Sequence, residues 1–207
     1  ATLTACAPYR DDDVRQDVDL RAALGLTDVT AVGVSIDSVT GQRFVLDANQ
    51  GIYELSDDGT ATLVLAAADF PAADPAPRSA FTDLAALGNG RFALTARSFG
   101  YLLDVPAESL SQFFCYVPDM MDPESFDQST HTLAYDPVSG VLYSQPQTLD
   151  MLNNERVTAS QIGTFDALEG ADLAWNTLSD AEFLAGGLTL LDSATLLLGQ
   201  GSKLYRY

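Results

Sequence analysis

Apolar and polar positions across residues 29–66 group into four short runs, β-branched or aromatic in part and separated by turn residues. Residues 30–37 place Val32, Val34 and Ile36 on one face. Ser38-Val39-Thr40-Gly41 turns this run into residues 43–47. Asn49-Gln50-Gly51 leads into 52–55, and Asp57-Asp58-Gly59 into 60–65. Gly, Asn and Asp at the junctions supply the positive φ that tight hairpins require. The stretch predicts one complete four-stranded antiparallel sheet.

The pattern recurs. A turn residue followed by an apolar run appears as Gly41-Gln42-Arg43-Phe44-Val45-Leu46, Gly90-Arg91-Phe92-Ala93-Leu94, Gly140-Val141-Leu142-Tyr143 and Ala194-Thr195-Leu196-Leu197-Leu198. The spacing of about 50 residues falls in the range of propeller blades. Strands are predicted before each anchor at 31–36, 82–87, 132–135 and 187–191. They are predicted after it at 51–55, 100–104 and 201–205, with a fourth strand in the second unit at 111–117. The third unit departs from the pattern: 145–154 stands where its third strand should begin, 156–165 follows as a strand, and 173–177 is available to rebuild its outer edge. The fourth unit ends after three strands. An open blade exposes an edge, so a segment at 2–8 or 18–24 is expected to add the missing strand.

Tyr135-Asp136-Pro137-Val138-Ser139-Gly140-Val141-Leu142-Tyr143 and Ser35-Ile36-Asp37-Ser38-Val39-Thr40-Gly41-Gln42-Arg43-Phe44 look like the inner hairpin of bacterial extracytoplasmic β-propeller repeat proteins. The resemblance covers nearly all of 29–207. It implies an all-β, β-propeller-like domain of about four blades of four antiparallel strands, the last blade closed by an N-terminal strand. A five-bladed count, a ring completed by a partner, and a β-sandwich are the alternatives. Residues 1–28 read as a separate N-terminal segment. Within it Val14, Val18, Ala22 and Leu26 recur at helical spacing, a strand over 18–23 is the competing reading, and Gly25 ends either.

Composition narrows the function class. The 207-residue chain carries 29 acidic and 10 basic side chains, a net charge of −19, with Lys203 as its one lysine. Nucleic acids and anionic membrane surfaces demand a basic footprint, so both are excluded as partners. No run approaches the roughly 18 apolar residues of a membrane helix. There are two cysteines, Cys6 and Cys115. Leu3-Thr4-Ala5-Cys6 resembles a bacterial lipobox, which would make Cys6 a lipidation site and the only membrane link a lipid anchor. A Cys6–Cys115 disulfide is the competing reading, and a pair of free thiols the third. The first two place the chain outside the cytoplasm, in the periplasm, on the outer membrane or at the cell surface.

No catalytic constellation emerges. His131 is the single histidine, and no Gly-x-Ser-x-Gly elbow or Cys-x-x-Cys occurs. Zinc and haem lack a ligand set. Asp119, Asp122, Glu124 and Asp127 share one loop and are the candidate calcium ligands, although the Asp-x-Asp-x-Asp-Gly pattern is absent. Phe113-Phe114-Cys115-Tyr116 puts large side chains on both faces of an expected outer strand, of which only one can pack inward. Phe113, Phe114 and Tyr116, with Tyr205 and Tyr207, are the candidate protein-binding residues; core packing is the alternative for the first group. The expectation is a non-enzymatic protein-binding or structural subunit of an envelope or surface assembly, without cofactor unless calcium. The alternatives are a carbohydrate-binding or hydrolytic propeller with His131 at its axial channel, and a calcium-stabilised scaffold.

Overall fold

The computed structural model describes residues 19–73, 77, 80–96, 99–115, 130–150, 155–158, 161–167, 172–177, 183–184, 188–192, 195–200 and 203–206. Among these residues, apart from one short helix and a 3-10 turn at Ala67–Asp69, the elements are strands, arranged as four antiparallel sheets. The first sheet is β1 (Ala31–Ile36), β2 (Arg43–Asp47), β3 (Gly51–Leu55) and β4 (Ala61–Ala66), paired in that order. The second is β5 (Asp83–Gly88), β6 (Arg91–Ala96), β7 (Phe99–Asp104) and β8 (Ser109–Cys115). Both match the four-strand unit that the alternation predicts.

The third sheet holds β9 (Thr130–Asp136), β10 (Val141–Asp150), β11 (Glu155–Thr158), β12 (Gln161–Asp166), β13 (Asp172–Thr177) and β14 (Phe183–Leu184). Its second strand is ten residues long and changes partner midway. Residues up to Ser144 pair with β12, and from Gln147 onward with β11. Pro146 falls at that exchange, a point where a missing N–H is tolerated. The single strand expected over 156–165 is thus two strands, β11 and β12. The outer edge is rebuilt by β13, as the 173–177 reading anticipates.

The fourth sheet is β15 (Leu188–Asp192), β16 (Thr195–Gln200) and β17 (Lys203–Arg206). Residues 2–8, offered for its closing strand, lie outside the described residues. The other segment offered does not form a strand where it is described, because Leu20–Leu24 is a helix, α1. Asp19 caps it, its side chain accepting the N–H groups of Arg21 and Ala22, and Gly25 ends it at φ +64°.

The core lies between sheets. Phe44, Leu46 and Ile52 of the first sheet meet Leu84, Ala86, Phe92, Leu94 and Tyr101 of the second. The Phe44 and Phe92 rings meet edge to face, with centroids 5.0 Å apart. A second cluster joins the second and third sheets through Ala93, Leu102, Phe114, Leu133, Leu142 and Phe165.

The expected face of Val32, Val34 and Ile36 is split. A register shift between Ala31 and Gly33 turns Val32 toward the first core cluster, while Val34 and Ile36 stay exposed. Small residues replace the expected valines where the inner strands come close. A Cβ on Gly33 would stand 2.8 Å from the Leu84 nitrogen, so this approach requires glycine. Two residues on, the Ser35 hydroxyl accepts the Ala86 N–H at 2.9 Å and ties the first sheet to the second.

Candidate functional site

The innermost strands β1, β5, β9 and β15 surround a cavity of about 550 Å³. Its walls are mainly aliphatic, including Val34, Ile36, Leu84, Leu133 and Leu188; Ser35, Ser38, Tyr135, Asp136 and Thr189 are its few polar residues. The size and composition suit an apolar group held by few hydrogen bonds.

Two equivalent hairpins form the rim. In the β1–β2 turn, the Asp37 carboxylate accepts the N–H groups of Val39 at 2.8 Å and Thr40 at 3.2 Å. Gly41, at φ +77°, donates its N–H back to the Asp37 carbonyl. In the β9–β10 turn, the Asp136 carboxylate accepts the N–H of Val138 at 2.9 Å and both the N–H and hydroxyl of Ser139; Gly140 sits at φ +73°. Each aspartate thus satisfies the turn backbone, and each glycine supplies the left-handed residue that closes it. The apex is valine in both. Val39 is 77% exposed and Val138 82% exposed. A turn needs no apolar apex, so the repetition marks these two positions.

The electrostatics of the rim are acidic. Burial raises the Tyr135 hydroxyl above its ordinary value; Asp136, Asp37 and Asp166 push it the same way, and Arg91 opposes them. Tyr135 therefore remains a neutral phenol, able to donate a hydrogen bond at physiological pH. Arg91 is engaged elsewhere, donating to the Ala167 carbonyl at 3.0 Å and lying 3.6 Å from the Asp104 carboxylate. Away from the rim, the Asp83 carboxylate accepts the Leu133 N–H at 2.8 Å and ties the second sheet to the third. Burial pushes it up to about 6 against the pull of the Leu133 and Leu84 N–H groups.

The structure places the sequence candidates elsewhere. Phe113 and Phe114 do not form an outward patch. A register shift between Gly100 and Tyr101 makes Phe113 a bulge residue, which suspends the strict alternation of faces. Phe114 is buried and stacks on Phe165 at 4.9 Å, while Phe113 meets both rings edge to face. These two belong to the core between the second and third sheets. Tyr116, Tyr207, Cys6, Asp119, Asp122, Glu124 and Asp127 lie outside the described residues. Cys115 ends β8, on the outer strand of the second sheet, and Tyr205 lies in β17. His131 lies in β9, where its backbone is paired with Pro146. Among the described residues, no group of three or more His, Cys, Asp or Glu side chains is placed to hold a metal. Sequence reasoning missed Val39, Val138 and Asp83. The signal for the first two was the shared Asp-x-Val-[Ser/Thr]-Gly turn with an apolar apex; Asp83 offered none, since its partner is a backbone N–H 50 residues away.

Neither a family model nor a curated protein matches the chain. Solved structures do. The β-propeller domain of Cps50 (Swd1) from Myceliophteria thermophila is similar over 85% of this chain and 51% of that one, with a TM-score of 0.52 at 12% identity. The extracellular domain of a putative one-component system from B. thetaiotaomicron is similar over 86% of this chain and 21% of that one, with a TM-score of 0.50 at 10% identity. The chain thus spans about half the length of the first and about a fifth of the second. Antiparallel sheets arranged around a common axis, and these two similarities, give the chain a β-propeller-like fold.

Proposed function

We propose that this chain is a non-enzymatic protein-binding or scaffold subunit that works outside the cytoplasm and engages its partner at the mouth of the axial cavity. The observation that carries the reading is the pair of exposed valine apices: Val138 lines the mouth of an aliphatic cavity, and Val39 follows Ser38, another residue of its lining. Exposed apolar side chains grouped around a concavity mark contact surfaces. Aliphatic walls suit a side chain of a protein partner better than a sugar, whose hydroxyls need paired polar groups. The net charge of −19 and the acidic rim select a partner segment with basic flanks. The extracytoplasmic part draws on the lipobox-like Leu3-Thr4-Ala5-Cys6 and on the extracellular nature of the B. thetaiotaomicron neighbour. Calcium, if used, falls to the loop of Asp119, Asp122, Glu124 and Asp127.

The test is an array of short peptides that pair aliphatic centres with basic, neutral or acidic flanks. Binding is expected to the basic set and to weaken as salt rises. Burying a valine side chain is worth about 1.5 kcal/mol, so Val39→Ser and Val138→Ser each reduce affinity about tenfold. Equal binding by both variants and the parent removes the reading.

A further inference from the structure

Among the described residues β1 packs beside β5, β5 beside β9 and β9 beside β15, so the four sheets form an arc around the cavity. In the first sheet β1 lines the cavity and β4 is the last strand, about 14 Å further out. Among the described residues β4 pairs with β3 on one side and with no strand on the other. The α1 helix packs beside β4, yet no backbone hydrogen bond joins the two. The pairing fixes which backbone groups of β4 are left over. Ser56 donates its N–H to the Thr60 carbonyl, and Ala67 donates its own to Gln50. Hydrogen-bonded pairs alternate along an antiparallel ladder, so Thr62 turns its N–H and carbonyl toward β3 while Ala61 and Leu63 turn theirs outward.

Sheet edges that must stay single carry lysine, proline or inward charge. Ala61-Thr62-Leu63-Val64-Leu65-Ala66 has none of these, and a bulge at Val64 is all that interrupts it. Thr62 is exposed and Leu63 is 48% exposed. Charge stands at the two ends instead. Asp57 and Asp58 lie in the turn before β4, Asp57 shared with Arg43, and Asp69 is exposed in the 3-10 turn after it. Hydrogen bonds from the Ser56 hydroxyl and from Thr60 lower the Asp58 carboxyl to about 2, so it is ionised at physiological pH.

We propose that β4 is a docking edge: it takes an extended segment of another protein, with lysine or arginine at both ends, as an added strand of the first sheet. Ala61 and Leu63 each offer a donor and an acceptor, which need an extended backbone rather than a particular sequence. Side chains set the preference. Leu63 shares the face of Val45 and Tyr53, so the guest residue beside it is apolar. The next guest residue sits beside Thr62, on the face of Glu54, and is polar. Charge decides the occupant. A second copy pairing through its own β4 would bring Asp57 and Asp58 of one strand to Asp69 of the other, acid against acid in chains of net charge −19. Residues 1–18 match no better, with Asp11, Asp12, Asp13 and Asp17 against Arg10 and Arg15. A basic-ended segment meets carboxylates at both ends. The edge and the cavity mouth lie on opposite margins of the first sheet, so either reading survives the failure of the other.

The experiment is fluorescence anisotropy on the 207-residue chain with a short labelled peptide of alternating valine and threonine and a lysine at each end. Saturable binding is expected, about tenfold weaker for the same peptide with glutamate at each end. Backbone N-methylation separates edge pairing from side-chain contact and leaves the protein untouched. Methylating the valines, whose N–H groups face β4, is expected to abolish binding; methylating the threonines is not. Ala61→Pro removes an outward N–H and no bond to β3, so it cuts affinity about tenfold with an unchanged circular dichroism spectrum. Should it disturb that spectrum, the two methylated peptides decide. Absence of saturable binding by the lysine-ended peptide overturns the proposal. So do equal affinities of the two methylated peptides, equal affinities of the lysine-ended and glutamate-ended peptides, and a loss of binding in Val138→Ser, which would move the peptide to the cavity mouth.

Discussion

Gly33 and Val34 are neighbours in β1 and lie on opposite faces of the first sheet. Gly33 faces the second sheet at a distance where a single added carbon would strike the Leu84 backbone. Val34 faces the axis and is mostly exposed. The usual rule, large apolar residues inward and small ones outward, is inverted here. At Gly33 the inner strand β1 approaches Leu84 of β5 too closely for a side chain of its own, so the space between the two strands is filled from β5. Large side chains such as Phe44 and Leu46 take over one strand further out. On the other face of the same sheet Val34 stays exposed beside the cavity, while its cross-strand neighbour Val45 on β2 is buried.

The strongest way to break this contrast is to empty the packed face. Phe44→Ala removes a buried ring from its edge-to-face contact with Phe92 and is expected to cost about 3–5 kcal/mol in denaturant unfolding. A loss below about 1 kcal/mol would show that the first and second sheets do not share a core.

The next joint along the arc is polar. Asp83 holds β9 through the Leu133 N–H, and its carboxyl is raised from 3.8 to about 6. A raised folded value means that the protonated form is favoured in the folded chain. Its stabilising contribution is complete below about pH 4 and is lost as pH rises through about 6. A tenfold change in proton affinity between the folded and unfolded chain is worth about 1.4 kcal/mol. Asp83→Asn is therefore expected to flatten the stability profile between pH 4 and 7, where the parent loses about 3 kcal/mol, while giving up one hydrogen bond at every pH, because the amide oxygen can keep the Leu133 N–H but the amide NH2 cannot accept the Leu84 N–H. A variant with the parent's pH profile between 4 and 7 shows that Asp83 titrates as an ordinary carboxylate.

Gly33→Ala tests the close approach itself. The neighbour at 2.8 Å is backbone and cannot rotate away, so the inner strands must separate. The expected cost is about 1–3 kcal/mol, checked by thermal unfolding. A neutral result would mean that the sheets are free to slide apart at the axis.

These features also mark where sequence reading ends. The four-strand units of the first and second sheets were legible, because alternation and Gly, Asn or Asp turns are local signals. The helix at Leu20–Leu24 left two readings open until its Asp19 and Gly25 caps decided them. Bulges were not legible. One at Val32 moved that residue to the packed face, and one at Phe113 sent both phenylalanines into the core, because an extra residue on one strand is defined only by its partner strand. The partner exchange in β10 is likewise a property of three strands together. At the rim, the turn chemistry of Asp37 and Asp136 could be read, whereas the exposure of Val39 and Val138 followed only from their projection beyond the sheets. Inter-sheet links such as Ser35 to Ala86 and Asp83 to Leu133 span about 50 residues and leave no trace in local pattern.

The smallest expected effect is the most discriminating. Val34→Ser removes a side chain that is 66% exposed, so the isolated chain is expected to change by no more than about 0.5 kcal/mol. Thermal unfolding checks this. A loss above about 1 kcal/mol would mean that Val34 is held as tightly as Val45 and Tyr53, the buried residues of its own cross-strand row.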